Sequence, residues 1–441
     1  MGTILVHCFF PFKQVQIIFT LVSYNNCFYQ QRSIAAFLIT MQVTFDNKSM
    51  QKLFITKTNQ LNDFCQSFNY QPHICLDTEF VRQKTFWPTA CLIQIQGQHG
   101  IGVVDVLSPD IDLTSLHNML YDKSILKILH SARQDLEIFW YLYGQIPTPI
   151  ADTQIMAMIC GFGETISYEN LVAKIVGAAI DKSLRVTDWS QRPLSDRHIE
   201  YAANDVSYLL PIYQHLVKKL KDSNDLQLEI LQELISELEN PKTYVVKPEN
   251  AWKKFVPKYV KKNELLKIKK IAAWREIRAS QLNLPRQILL SDDKILSLAK
   301  CNESRLDGLI TAVWPNATDT TRQKLAEDLN AVIIDASQFL IGDIQDHNQS
   351  LQRESSIMLV DLLKLLVKIR AAEQNIPYYI ICSTDDIQSL IDKPLISNPL
   401  LSGWRYRLCG QDCLDVLLNR KSISIKDGKI KLFSINHLDN K

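Results

Sequence analysis

An apolar strand that ends in two acids, two residues apart, constrains this chain more than any other stretch. In His73-Ile-Cys-Leu-Asp77-Thr-Glu79-Phe80 the residues before Asp77 suit a buried strand. Side chains alternate faces along an extended chain, so Asp77 and Glu79 point the same way. Two carboxylates on one side of a sheet repel, and burial adds a desolvation cost. A hard divalent cation offsets both, because it takes oxygen ligands and tolerates carboxylates. Taken alone, the pair would also suit the solvent face of an edge strand. Acids further along the chain decide between the two.

Length and composition set the frame. A chain of 441 residues holds about two to four domains. With 46% hydrophobic and 22% charged residues it is globular, not disordered. The formal net charge is only +2, so any contact with nucleic acid has to come from local patches. Ten cysteines occur without a C-x-x-C pair, which points to reduced thiols and a cytoplasmic setting. Cys409 and Cys413 read as helix core. Residues 1–49 look foreign to the rest. Their apolar run, with Phe9, Phe10, Ile17, Ile18 and Phe19, is too short and interrupted to span a membrane. Its basic residues fall inside or after that run, which does not suit a signal peptide. A disordered or non-native extension ahead of Met41 or Met50 is expected, and no membrane association.

From residue 50 the elements alternate in an informative order. Lys52–Lys57 reads as a strand and Asn59–Asn69 as a helix. Strands at His73–Phe80, Ala90–Gln96 and Gly102–Val106 have turn-length links, which suggests an antiparallel meander. A helix at Leu113–Tyr121, a strand at Ile125–His130, a helix at Ala132–Tyr143 and a short strand at Ile150–Asp152 follow. Helices fill most of the remainder to Leu220. This is an α/β layer fold, a mixed sheet flanked by helices.

Two further motifs lie in that domain. His130-Ser-Ala-Arg-Gln-Asp135-Leu-Glu puts Asp135 one turn into a helix that starts at a strand end. Ser195 is a helix N-cap, and beyond it Tyr201 and Asp205 share a face beside a stripe of Ile199, Ala202, Val206, Leu209 and Leu210. Asp135 also suits a helix N-terminus electrostatically, and Tyr201 with Asp205 also suits a surface pair. Their order within one domain argues for chemistry. Asp77-x-Glu79, Asp135 and Tyr201-x-x-x-Asp205 resemble the DEDD exonuclease superfamily in its tyrosine subclass. Longer strings resemble ribonuclease D: Leu76-Asp-Thr-Glu-Phe-Val-Arg82, Leu129-His-Ser-Ala, Asp181-Lys-Ser183, Thr187-Asp-Trp189 and Glu200-Tyr-Ala-Ala. The resemblance implies a ribonuclease H-like nuclease domain and 3′-to-5′ hydrolysis of RNA to 5′-mononucleotides, in trimming tRNA precursors.

The chemistry follows the same residues. Phosphodiester hydrolysis charges both the attacking and the leaving oxygen, and two cations about 3.5–4 Å apart can stabilise both. Asp77 is expected to bridge two ions, magnesium or manganese. Glu79 and Asp205 complete the site of the attacking water, Asp135 holds the second ion, and Tyr201 orients the water. Arg82, Lys84, Phe86, Trp87 and Gln94 follow the first motif and suit a phosphate and a stacked terminal base. For Phe86 and Trp87 a place in the core is as good a reading. Asp152 is expected to support the site, and His198 to stay outside the chemistry.

Beyond Leu220 the chain divides into a helical connector (221–262), a first helical domain (263–320), a linker helix (321–355) and a second domain (356–435). Arg278, Asn283, Pro285, Ser291, Asp293 and Ile295 recur in register as Arg370, Asn375, Pro377, Ser383, Asp385 and Ile387. The two stretches resemble all-α helicase-and-RNase-D C-terminal (HRDC) domains. Lys267, Lys269, Lys270, Arg275, Arg278 and Arg286 would make the first a platform for RNA phosphates, or else simply a solvated face. An RNA-cleaving monomer acting on 3′-extended tRNA precursors is therefore expected. A proofreading-type DNA exonuclease and an inactive RNA-binding adaptor are the alternatives.

Overall fold

The computed structural model describes residues 3–6, 17–20 and 50–435, except 69–70, 182, 257–259, 301–318, 339–349, 393 and 395–396. The chain divides into two units, Met1–Phe45 and Asp46–Lys441. In the first, strands β1 (Thr3–Val6) and β2 (Ile17–Thr20) pair antiparallel, with Thr3 opposite Thr20. The rest of the expected extension over residues 1–49 lies outside the described residues.

The second unit is built on six strands: β3 (Gln51–Ile55), β4 (His73–Val81), β5 (Thr89–Gln96), β6 (Gly100–Asp105), β7 (Leu126–Leu129) and β8 (Ile150–Asp152). Their order is β3-β6-β5-β4-β7-β8. β4, β5 and β6 form the antiparallel meander, and β3, β7 and β8 join in parallel. The sheet is mixed, as the sequence implies. β5 and β6 are buried almost throughout because helices cover both faces, so most of their residues are apolar; Gln94 and Gln96 on β5 are buried polar exceptions. Helix α1 (Thr58–Gln66) lays Phe64 against Gly102, where a Cβ would come within 2.5 Å of the ring. Val103, on the other face of β6, pairs with Gln94, which in turn pairs with Asp77. The acids of β4 therefore face away from α1.

Helices α2 (Thr114–Tyr121), α3 (Arg133–Tyr143), α4 (Thr153–Ile159), α5 (Tyr168–Ile175), α6 (Asp196–Ser207) and α7 (Leu209–Leu220) complete the nuclease domain. α8 (Asp225–Glu239) leads out of it. The acidic side chains of α8 are not a solvated run. Glu233 accepts from Trp404 Nε1 at 2.9 Å and pairs with Arg405, Glu229 pairs with Arg407, and Glu239 accepts from the Ile150 N–H at 2.9 Å.

The sequence repeat is a structural repeat. α9 (Lys262–Leu282) ends at Asn283, and the helix Ser350–Glu373 is followed by Asn375, both asparagines left-handed at φ 49 and φ 54. Leu284 N–H returns to Ala279 O and Ile376 N–H to Ala371 O, so the same turn closes both helices. α10 (Arg286–Leu289) and α11 (Asp292–Lys300) follow the first turn. Tyr378–Ile380 and Thr384–Asp392 follow the second. Each turn also meets the nuclease domain. Asn283 Oδ1 accepts from the Phe86 and Trp87 N–H groups at 3.1 and 3.0 Å. Tyr379 Oη donates to Glu164 O at 2.9 Å, beside Gly161, whose Cβ would lie 2.8 Å from Asn375 Nδ2.

Of the two readings left open for Phe86, the core one holds: it is 2% exposed and belongs to the core of the first helical unit with Ile268, Ile271, Leu289 and Ile295. Three expectations need correction. The helix Asp319–Gln338, expected as a linker, carries Leu325, Leu329 and Ile333 into that same core. The second helical unit ends in a hairpin, β9 (Lys421–Lys426) and β10 (Lys429–Ser434), turning at Asp427 and Gly428 with φ 54 and φ 69. Most of the expected cationic platform is occupied. Arg275 pairs with Asp292, Arg278 with Asp328, Arg286 with Glu276 and Lys270 with Asp335, while Lys269 lies 4.5 Å above the Trp252 ring. Cys409 and Cys413 are buried, as expected. No helix among the described residues is long and apolar enough to cross a membrane.

Because Phe86 fills a core that lies in another part of the chain, Phe86→Ala should cost about 3–5 kcal/mol of stability. Urea unfolding measures this. A loss under about 1 kcal/mol would mean the ring is not packed as described.

Candidate active site

β4 outruns its parallel neighbour. β7 pairs with it only from His73 to Cys75, so Asp77 and Glu79 project beyond that edge. On the other side β5 continues, with Gln94 opposite Asp77 and Leu92 opposite Glu79. Past β7 the chain turns at Ser131, held at φ 59, and α3 begins with Asp135 in its first turn. Asp152 fixes this turn. Its two oxygens accept from Ser131 N–H at 3.0 Å and Ala132 N–H at 2.8 Å, and Oδ1 also caps α4 through Gln154 N–H at 2.8 Å. Asp135 itself is 6% exposed, and its Oδ1 accepts from the Thr78 hydroxyl at 2.5 Å.

The remaining pair arrives on α6, which packs across β4, β5 and β6. Ala202, Ala203 and Val206 form its buried side, small enough to bring the helix close to the sheet. Ser195 is its N-cap, with the hydroxyl 2.6 Å from His198 Nδ1, so His198 serves the helix start. Trp189 is 2% exposed and stands 5.8 Å from the Tyr201 ring. Its loop is fastened to the sheet by Arg192, which donates to both oxygens of Asp105 at 2.6 and 2.7 Å. Tyr168 Oη donates to Asn204 O at 3.2 Å and accepts from Tyr208 N–H at 3.0 Å, gripping α6 on either side of Asp205.

The acids lie within reach of one another's charge. Burial pushes the Asp77 carboxyl well above the usual range, and the charges of Asp135, Asp205 and Glu79 push it further. Burial, then Asp205 and Asp135, raise Glu79 to about 9. Asp135 is raised to about 7 by burial, a rise the Thr78 hydroxyl restrains. Asp205 is raised to about 7 by burial and by Glu169. Burial and the fields of Asp205, Glu79 and Asp77 raise the Tyr201 phenol, against Arg185. All five expected residues thus fall in one electrostatic cluster. No three His, Cys, Asp or Glu side chains among the described residues already stand in a spacing that grips an ion. Asp135 gives one oxygen to Thr78. The donors are nonetheless oxygens only, the set that suits magnesium or manganese.

A 3′-5′ exonuclease family model matches residues 53–221. Ribonuclease D of Gluconacetobacter diazotrophicus is 36% identical over 382 residues, which are 86% of this chain and 96% of that protein. The chain belongs to the ribonuclease D family. Ribonuclease D of Bartonella henselae is 35% identical over 86% of this chain and 93% of its own length. The crystal structure of Escherichia coli RNase D, described as an exoribonuclease involved in structured RNA processing, is similar at a TM-score of 0.68. It shares 27% identity, over 84% of this chain and 99% of that one.

Several supporting residues escape a reading of motifs. Thr78 lies between the two acids and looks like spacing. Asp152, followed by Thr153 and a helix, carries an N-cap signature, but its second partner lies across β7. Arg82, expected near phosphate, makes a two-pronged pair with Glu137 at 2.8 and 3.0 Å.

Raised carboxyl values mean the folded chain keeps protons that the unfolded chain has released, so these groups cost stability as pH rises. Without divalent ions the protein should lose stability from about pH 4 upward, through the values of about 7 for Asp135 and Asp205 and about 9 for Glu79. Melting curves in chelator test this. Magnesium should restore stability most at the alkaline end, and Asp135→Asn with Asp205→Asn should flatten the slope. A flat wild-type profile would contradict the clustering.

Proposed function

We propose that this chain is a metal-dependent 3′-to-5′ exoribonuclease in which Asp77, Glu79, Asp135 and Asp205 hold two divalent cations and Tyr201 orients the attacking water. The observation that carries the reading is that four carboxylates from β4, α3 and α6, Asp135 buried and the other three half-buried, act on one another beside a tyrosine. Bound cations supply charge stabilisation at the attacking and leaving oxygens. The chain does the rest. Asp77 feels all three other acids and would be a ligand common to the cations. Asp205 acts on Glu79, and both act on Tyr201, so they would suit the side where water attacks. Asp135, tied to Thr78 by one oxygen, would have the other for a cation that would stabilise the leaving oxygen. Tyr201 keeps its proton because its phenol is raised, so it positions water instead of removing a proton.

RNA is the substrate, released as 5′-mononucleotides, and 3′-extended tRNA precursors are the substrates we favour, in the cytoplasm and with the protein acting as a monomer. The relative from Escherichia coli, named for structured RNA processing, supports that choice. The two repeated helical units are read as HRDC-like frames for the RNA body. With most expected platform cations already paired, phosphate contact shifts to Arg133, Lys247 and Lys254, which line a cavity of about 410 Å³ between α3 and the first helical unit. None of the three has a carboxylate partner among the described residues.

Asp77→Asn, Glu79→Gln, Asp135→Asn and Asp205→Asn should each lower turnover at least about a thousandfold with the fold intact. Tyr201→Phe should lower it about a hundredfold. Mononucleotide release from 3′-extended tRNA, single-stranded RNA and single-stranded DNA, with and without magnesium, is the assay. Full turnover by Asp77→Asn, or in excess chelator, would defeat the assignment.

A further inference from the structure

Gln94 occupies an unusual place. It lies in the middle of β5 with 0% exposure, and neither its Oε1 nor its Nε2 has a hydrogen-bond partner among the described residues. The next glutamine on the same face, Gln96, at least reaches Ser207 O at 3.5 Å. Between a sheet and α6 an apolar side chain would pack as well and leave nothing unsatisfied. An amide buried with both ends unpaired carries its full desolvation penalty. Such a residue in the core of a sheet calls for a partner that arrives only in the working state.

The register identifies that partner. Gln94 is directly opposite Asp77, and its other neighbour across the sheet is Val103. Opposed residues of antiparallel strands share a face with Cβ atoms about 5 Å apart, within reach of a glutamine side chain. An ionised carboxylate only accepts hydrogen bonds, and an amide N–H aimed at it makes a charge-assisted bond stronger than a neutral one. Glu79, Asp135 and Asp205 offer Asp77 no donor when they are ionised.

Building on the site assigned above, we infer that Gln94 is a positioning residue for Asp77. Its Nε2–H donates to the Asp77 carboxylate when that group holds cations, and so fixes which way the oxygens point. Gln94 touches neither RNA nor the reacting atoms. The orphaned amide is the cost carried by the empty-handed state, and the bond to Asp77 is its return.

The test separates this role from a structural one. In chelator, Gln94→Leu should melt at the wild-type temperature or above it, because an unsatisfied amide has been removed. Its Mn2+ affinity, measured by calorimetry without RNA, should fall at least about tenfold. The magnesium concentration for half-maximal hydrolysis should rise with it, and Gln94→Asn, which keeps an amide on a shorter arm, should recover part of both. Wild-type Mn2+ affinity in Gln94→Leu would overturn the inference. So would a Gln94→Leu protein less stable than wild type in chelator, or unfolded, since the amide would then have a structural partner. Asp77→Asn keeps the two levels apart. If it still hydrolyses RNA, the site assignment itself falls. If it is inactive while Gln94→Leu binds Mn2+ normally, only the role of Gln94 falls.

Discussion

Mutual repulsion among largely desolvated carboxylates is the constraint around which this molecule is arranged. Two carboxylate charges about 6 Å apart repel by about 3 kcal/mol at an effective dielectric constant of about 20. Burial adds to this for Asp77, Glu79, Asp135 and Asp205, and lifts each above the ordinary range. A chain that gathers such groups gives up stability there. It keeps them together because the surrounding structure leaves them no way to separate.

That surrounding structure is a set of short, specific ties. Asp152 holds the turn that starts α3, and Thr78 holds Asp135. Arg192 fastens the Trp189 loop to Asp105, and Tyr168 grips α6 around Asp205. Further out, the repeated helical units reach the nuclease domain by the same asparagine turn, one at Phe86 and Trp87, the other near Gly161 and Glu164. The first turn docks through Asn283 itself, the second through Tyr379 just beyond Asn375. The first runs close to the site, because Arg82 follows Glu79 on β4, bonds Phe86 O and pairs with Glu137 of α3.

The acids and the tyrosine were legible because their chemistry forces a pattern on the sequence: two acids at strand spacing, and a tyrosine and an acid at helical spacing. The meander, the strand–helix alternation and the repeat were legible through periodicity and turn residues. What stayed hidden depends on distance in space. Phe86 reads as a loop aromatic, and nothing near it in sequence says that its core is built by Ile268 and Leu289. The cations of the first helical unit read as a basic face, because their partners Asp292, Asp328 and Asp335 lie elsewhere in the chain. The C-terminal hairpin was different. Asp427-Gly428 between Ile423, Ile425, Ile430 and Leu432 carried a local signal, outweighed by the helical stretch before it.

One measurement bears most directly on the central claim. Crystals grown with Mn2+ and an uncleavable oligonucleotide would show manganese by anomalous scattering. The expected result is two peaks about 4 Å apart, with Asp77 between them and Glu79, Asp135 and Asp205 around them. Manganese found elsewhere, or none within reach of these four carboxylates, would contradict the account.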